Sequence, residues 1–91
     1  MPESYEVTVT LTGDLHARPA GALSVAAAKF DAVIELAVGA SRANAKSVLA
    51  VMQLGASRGQ QVTVRATGPD AREAVAALIG ILAEATRVGG S

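Results

Sequence analysis

Three stretches of this chain alternate apolar and polar residues cleanly, a fourth does so weakly, and helical spacing fills the gaps between them. No other feature restricts the fold so much. In the first stretch Tyr5, Val7, Val9 and Leu11 stand on one side, with Glu6, Thr8 and Thr10 on the other. Period two with β-branched residues is the pattern of a half-buried strand. Ile34, Leu36 and Val38 alternate with Glu35 and Ala37 as a second strand, and Ser41 to Ala45 is a short third one with weaker signal. Val62, Val64 and Ala66 alternate with Gln61, Thr63, Arg65 and Thr67 as a fourth.

The intervening segments change period. Thr12-Gly13-Asp14 breaks the first strand with turn residues. From Ala17 to about Lys29, Ala20, Leu23, Ala27 and Phe30 recur at spacings of three and four, an amphipathic helix with a narrow apolar face. Gly21 weakens that helix by up to ~1 kcal/mol relative to alanine, so packing must help to hold it. Val48, Leu49, Val51 and Met52 form a short apolar helix, with Ser47 where an N-cap belongs and Gly55 where a left-handed C-terminal residue belongs. Gly68-Pro69-Asp70 opens the last helix, whose buried stripe is Val75, Leu78, Ile79 and Leu82. Asp70 and Glu73 have the spacing of a capping box.

The order is therefore β-α-β-β-α-β-α. Alternating strands leave one sheet face covered and one wet, and three helices must pack on the covered face. The expected class is an α+β open-faced sandwich. One domain spans residues 1–91, with its core at about 5–86 and a frayed tail at 87–91. With 2% aromatic residues against 51% hydrophobic, the core must be built from Val, Leu, Ile and Ala. The formal net charge is zero and no basic block stands anywhere, which gives no reason to expect a nucleic-acid partner. The N-terminal residues do not read as a signal peptide, and no run approaches the ~20 apolar residues that span a bilayer. Without cysteine, and with a single histidine, neither a disulfide nor a thiolate or imidazole metal cluster is expected.

That single histidine stands where strand period gives way to helix period, in Leu15-His16-Ala17-Arg18-Pro19-Ala20. The first amides of a helix lack internal partners, and the helix dipole adds partial positive charge there, so such an end accepts anions. Pro19 removes a donor that needs no partner in the first turn and starts the helix rigidly. The amides of Ala17 and Arg18 stay free, and Arg18 adds a guanidinium fork suited to phosphate oxygens. Imidazole is a nucleophile at neutral pH. The combination suits a phosphoryl group carried on a ring nitrogen. A surface histidine beside a solvated arginine is the plainer reading of the same residues.

At this motif the sequence resembles the HPr family, the histidine-containing phosphocarriers of the bacterial phosphoenolpyruvate:sugar phosphotransferase system. The stretch Asn44-Ala45-Lys46-Ser47-Val48-Leu49-Ala50-Val51-Met52-Gln53-Leu54-Gly55 is similar to that family's serine motif. The resemblance runs from about Tyr5 to Ala85. It implies an antiparallel sheet in the order first, fourth, second, third strand. It implies that His16 takes phosphate from phosphorylated enzyme I on Nδ1 and passes it to a IIA component of a sugar permease. Arg18 and the Ala17 amide would stabilise the phosphoryl group. The protein would be a carrier rather than a stand-alone enzyme, a cytoplasmic monomer without metal or cofactor. Ser47 resembles the site that HPr kinase/phosphorylase modifies in many Gram-positive relatives, beside its local role as a helix cap. The resemblance also implies an apolar docking patch of Ala20, Val48, Leu49 and Met52, rimmed by Arg18 and Lys46, where the bland reading is core.

One departure stands out. The family usually has glycine directly before the Leu-His pair, and here that residue is Asp14. A carboxylate so near a phosphohistidine is expected to disfavour phosphorylation, and its replacement by glycine to speed it. Other readings of the same residues are a carrier of the same fold serving a nitrogen-regulatory or dihydroxyacetone kinase branch, and a regulatory module that binds an anion without covalent chemistry.

Overall fold

The computed structural model describes residues 3–85. The expected tail at 87–91 lies outside the described residues. The chain runs β1 (Ser4–Thr10), α1 (Ala17–Ala27), β2 (Val33–Val38), β3 (Ser41–Asn44), α2 (Val48–Gln53), β4 (Gln61–Thr67) and α3 (Ala71–Ala85). The strands form one antiparallel sheet in the order β1-β4-β2-β3. The expected architecture, an α+β open-faced sandwich with three helices over a four-stranded sheet, is the one observed.

Register follows from the alternation. Val7 faces Val64, which in turn faces Leu36, and Val9 faces Val62. Ile34, Leu36, Val62, Val64 and Ala66 are all at most 1% exposed, so the middle strands turn these side chains into the core. Leu23 and Ala27 of α1, Val51 of α2 and Leu78 and Leu82 of α3 meet them from the helix layer. On the wet face Glu6, Arg65 and Glu35 stand side by side across three strands, and the Thr8 and Thr63 hydroxyls hydrogen-bond at 2.8 Å. A weak Arg42–Glu35 ion pair at 3.5 Å completes this polar surface.

The first strand differs from expectation. Tyr5 and Val7 keep 37% and 42% of their surface, because β1 is the edge strand and α3 covers it incompletely. Together with Val75, Ala76 and Ile79 they line a shallow apolar groove of about 280 Å³. Alternation shows which residues share a face, and cannot show how far the helix layer extends over it.

The last helix also starts differently. Both oxygens of the Asp70 carboxylate reach across to the α1–β2 turn, accepting from the Asp31 and Ala32 amides at 2.8 Å each. They therefore serve that turn, and the capping-box partnership with Glu73 is not what holds Asp70. Gly68 beside it has φ +146, and a Cβ there would fall 2.9 Å from the Ala32 Cα. Only glycine allows the two turns to approach so closely.

Candidate functional site

The residues around His16 are placed by two loops bound to each other. The Leu11 amide donates to the Gln60 carbonyl, the Gly59 amide to the Leu11 carbonyl and the Leu15 amide to the Ala56 carbonyl, each at 2.9 Å. The Arg58 amide donates to Oδ1 of Asp14, also at 2.9 Å. Gly55 and Gly59, with φ of +61 and +90, bend the second loop into register with the first. Leu15 is 3% exposed and Pro19 is fully buried, while His16, Ala17 and Arg18 between them are exposed. Two buried anchors thus present three exposed residues.

His16 is the N-cap of α1, with extended backbone and no side-chain capping bond. The first amide of α1 to find an internal acceptor is that of Ala20, which donates to the His16 carbonyl at 3.0 Å. Proline supplies no donor at 19, so the amides of Ala17 and Arg18 are the open ones. No acidic side chain occupies the first turn of α1. Among the described residues neither the His16 imidazole nor the Arg18 guanidinium has a hydrogen-bond or ion-pair partner. The result is an accessible imidazole beside two unsatisfied amides and one unpaired cation. Such a place can hold a dianionic group.

Ser47 is the N-cap of α2, and its Oγ accepts from the Ala50 amide at 3.2 Å. Gly55, with φ +61, reverses the chain just beyond that helix. Because α2 is only one and a half turns long, it buries Val51 and leaves the rest of its apolar residues outside. Val48, Leu49 and Met52 are 40%, 65% and 41% exposed. Val25 of α1, the helix against which α2 packs, is 65% exposed as well. The spacing of Val25, off the stripe of Ala20, Leu23 and Ala27, is the signal that could have read it as exposed.

Two residues expected on the docking patch behave otherwise. Ala20 has no exposed surface, because it belongs to the same inward stripe of α1 as Leu23 and Ala27, and it offers nothing to a partner. Lys46 is exposed, but its Nζ donates at 2.8 Å to the Phe30 carbonyl, beyond the C-terminal end of α1 and away from His16. Its charge also acts on the Asp70 carboxylate. Sequence reasoning missed Ser24, whose buried hydroxyl donates to the Ala45 carbonyl at 2.9 Å and ties α1 to the segment that carries Ser47.

The family model for the PTS HPr component phosphorylation site matches residues 3–84. Among solved structures, the histidine-containing phosphocarrier protein of Mycoplasma superposes with a TM-score of 0.82 at 30% identity, over 97% of this chain and 100% of that one. HPr of Thermoanaerobacter tengcongensis gives 0.78 at 33% identity, over 93% and 94%. Crh, the catabolite repression HPr of Bacillus subtilis, gives 0.71 at 36% identity, over 84% and 87%, in a structure described as a swapped dimer. The chain belongs to the HPr family. The family and the fold support a phosphocarrier role within the phosphotransferase system. Among the described residues no helix is long and apolar enough to cross a membrane.

Proposed function

We propose that this protein carries a phosphoryl group on Nδ1 of His16, accepting it from phosphorylated enzyme I and delivering it to IIA components of sugar permeases. The observation that carries the reading is the unsatisfied start of α1, with an exposed imidazole, the open Ala17 and Arg18 amides and the unpaired Arg18 guanidinium in one place. As the donor approaches, the ring nitrogen attacks phosphorus and the bond between phosphorus and the donor breaks. Charge on the equatorial oxygens is met by the amides, which the helix start already orients, and by the Arg18 guanidinium, which is free to close on the group. Transfer onward is the same step in reverse with IIA as acceptor. Val25, Val48, Leu49 and Met52 supply an apolar surface for these transient partners, and Arg18 supplies the charge that suits acidic ones. The protein acts as a monomer in the cytoplasm. Incubation with enzyme I and phosphoenolpyruvate is expected to give an acid-labile label that His16→Ala abolishes. An unlabelled wild-type protein would refute the reading.

A second use of the fold, regulation through Ser47, is favoured by the similarity to Crh and by the place of Ser47 at the start of α2. A phosphate on Oγ would sit at the positive end of the helix, where it is tolerated, and beside exposed Leu49 and Met52, where it would repel acidic partners. Incubation with HPr kinase/phosphorylase and ATP is expected to label the wild type and His16→Ala but not Ser47→Ala. Label in Ser47→Ala would count against this use.

A further inference from the structure

We infer that Asp14 is a positioning residue for His16, holding the loop that presents the imidazole through its hydrogen bond to the Arg58 amide. The inference rests on the carrier reading above. Three observations lead to it. First, the His16 side chain makes no bond to its own helix, so its orientation depends on how the backbone is held on both sides: by Pro19 and the Ala20–His16 bond after it, and by the residues that precede it. Second, those residues are held from outside: the Leu15 amide is bound to the Ala56 carbonyl, and the Asp14 carboxylate to the Arg58 amide, 44 positions away in sequence. Without the Asp14 bond, one fastening fewer stands between Leu11 and His16. Third, among the described residues none other than glycine has a positive φ, so Asp14 occupies its place without backbone strain, and glycine there would add freedom that the aspartate removes.

The geometry therefore argues against the expectation that the Asp14 carboxylate merely opposes phosphorylation. Oδ1 accepts a hydrogen bond from the Arg58 amide, in the second loop, so the carboxylate has a structural task there besides its charge. Removing this fastening leaves the chemical groups of the site in place and lets the histidine spend less time in the orientation that reacts. The effect belongs mainly on the rate of transfer in the encounter complex, since the apolar surface on α1 and α2 that meets the partner is untouched.

Asp14→Gly, Asp14→Ala and Asp14→Asn separate the causes. Asparagine keeps an acceptor oxygen for the Arg58 amide and drops the charge; alanine drops the acceptor and keeps the backbone restricted; glycine drops both. Phosphorylation by enzyme I with phosphoenolpyruvate is measured as kcat and KM with the carrier as varied substrate. Expected are a kcat lower by about three- to tenfold for alanine, the range of a single hydrogen bond, lower still for glycine, and within about twofold of wild type for asparagine, with KM changed little in all three. The Arg58 amide should exchange its proton faster in the alanine and glycine variants than in the asparagine one. That exchange reads the loop directly, in protein whose folding is checked by urea unfolding. Glycine and alanine variants that transfer as fast as wild type, or faster, would overturn the inference, as would an asparagine variant as slow as alanine. If the wild type itself takes no label, the carrier reading fails, and the exchange measurement then decides alone whether Asp14 holds the loop.

Discussion

Two helix starts in this molecule are built in opposite ways. At α2 the N-cap is Ser47, whose hydroxyl satisfies the Ala50 amide. At α1 the N-cap is His16, whose side chain satisfies nothing. A serine-type cap contributes about 1 kcal/mol, and the start of α1 forgoes it. In return its amides remain available to an incoming anion. The cost is offset from elsewhere, by the buried Leu15 and Pro19 and by the bonds between the loop 11–15 and the loop 55–60. Stability and chemistry draw on the same unsatisfied groups, so one helix start is closed and the other is held open by its surroundings.

The largest test of this contrast that leaves the nucleophile in place falls on Arg18, the cation added to the open start. Arg18→Ala should slow phosphotransfer to His16 by on the order of ten- to a hundredfold, the range for a charge-assisted hydrogen bond, with Arg18→Lys between it and wild type. Its thermal midpoint should stay unchanged, because the guanidinium has no partner among the described residues. A transfer rate unchanged in Arg18→Ala would mean that the amides alone carry the charge.

Exchanging the two caps comes next. His16→Asp should end phosphotransfer and yet raise stability by about 0.5–1 kcal/mol, since the extended backbone at 16 already suits a capping side chain. Ser47→Ala should do the reverse, losing about 1 kcal/mol in urea unfolding while phosphotransfer to His16 stays within about twofold. If His16→Asp were less stable than wild type, the account of α1 as a start left open at a cost would be broken.

The smallest effect is expected at a third helix start. The Asp70 carboxylate is held below its ordinary value of 3.8 chiefly by the hydrogen bond from the Asp31 amide, with partial desolvation opposing, and the Ala32 amide and the charge of Lys46 adding to it. A folded value below the unfolded one means that its contribution to stability is complete above the unfolded value and disappears as pH falls through the folded one. Urea midpoints followed from pH 6 down to about 2 should therefore fall less steeply in Asp70→Asn than in wild type, which would lose this part of its acid dependence. Equal slopes would show that the clamp on the α1–β2 turn contributes no linked protonation.

Much of this was legible in the chain itself. Alternation in Gln61–Thr67 reproduces the burial of β4 residue by residue, because each strand side chain's face follows from its parity alone. Spacing of Leu23 and Ala27 announced the inner stripe of α1, and that same stripe contains Ala20, so the burial of Ala20 was already implied by its neighbours. The exposed residues of α2 were legible in a different way: six residues of helix cannot bury four apolar side chains on one face. Asp14 and Asp70 were the residues read least well. Both looked like local devices, one a disturbance beside His16 and the other half of a capping box, and both turned out to fasten a distant turn.

The sequence by itself therefore determined the elements, their inward faces, and the motif at His16 that ties the chain to its family. These depend on residues within a turn or two of each other, where backbone geometry sets the period. Tertiary structure alone decided how completely α3 covers β1, which acceptors the loop amides find, and whether a helix start is closed by its own cap or fastened from across the fold. Those outcomes depend on contacts between residues as far apart as Asp14 and Arg58, or Ala32 and Gly68. Such a pair has no periodicity to announce it, since its partners meet only after the sheet and helices have packed.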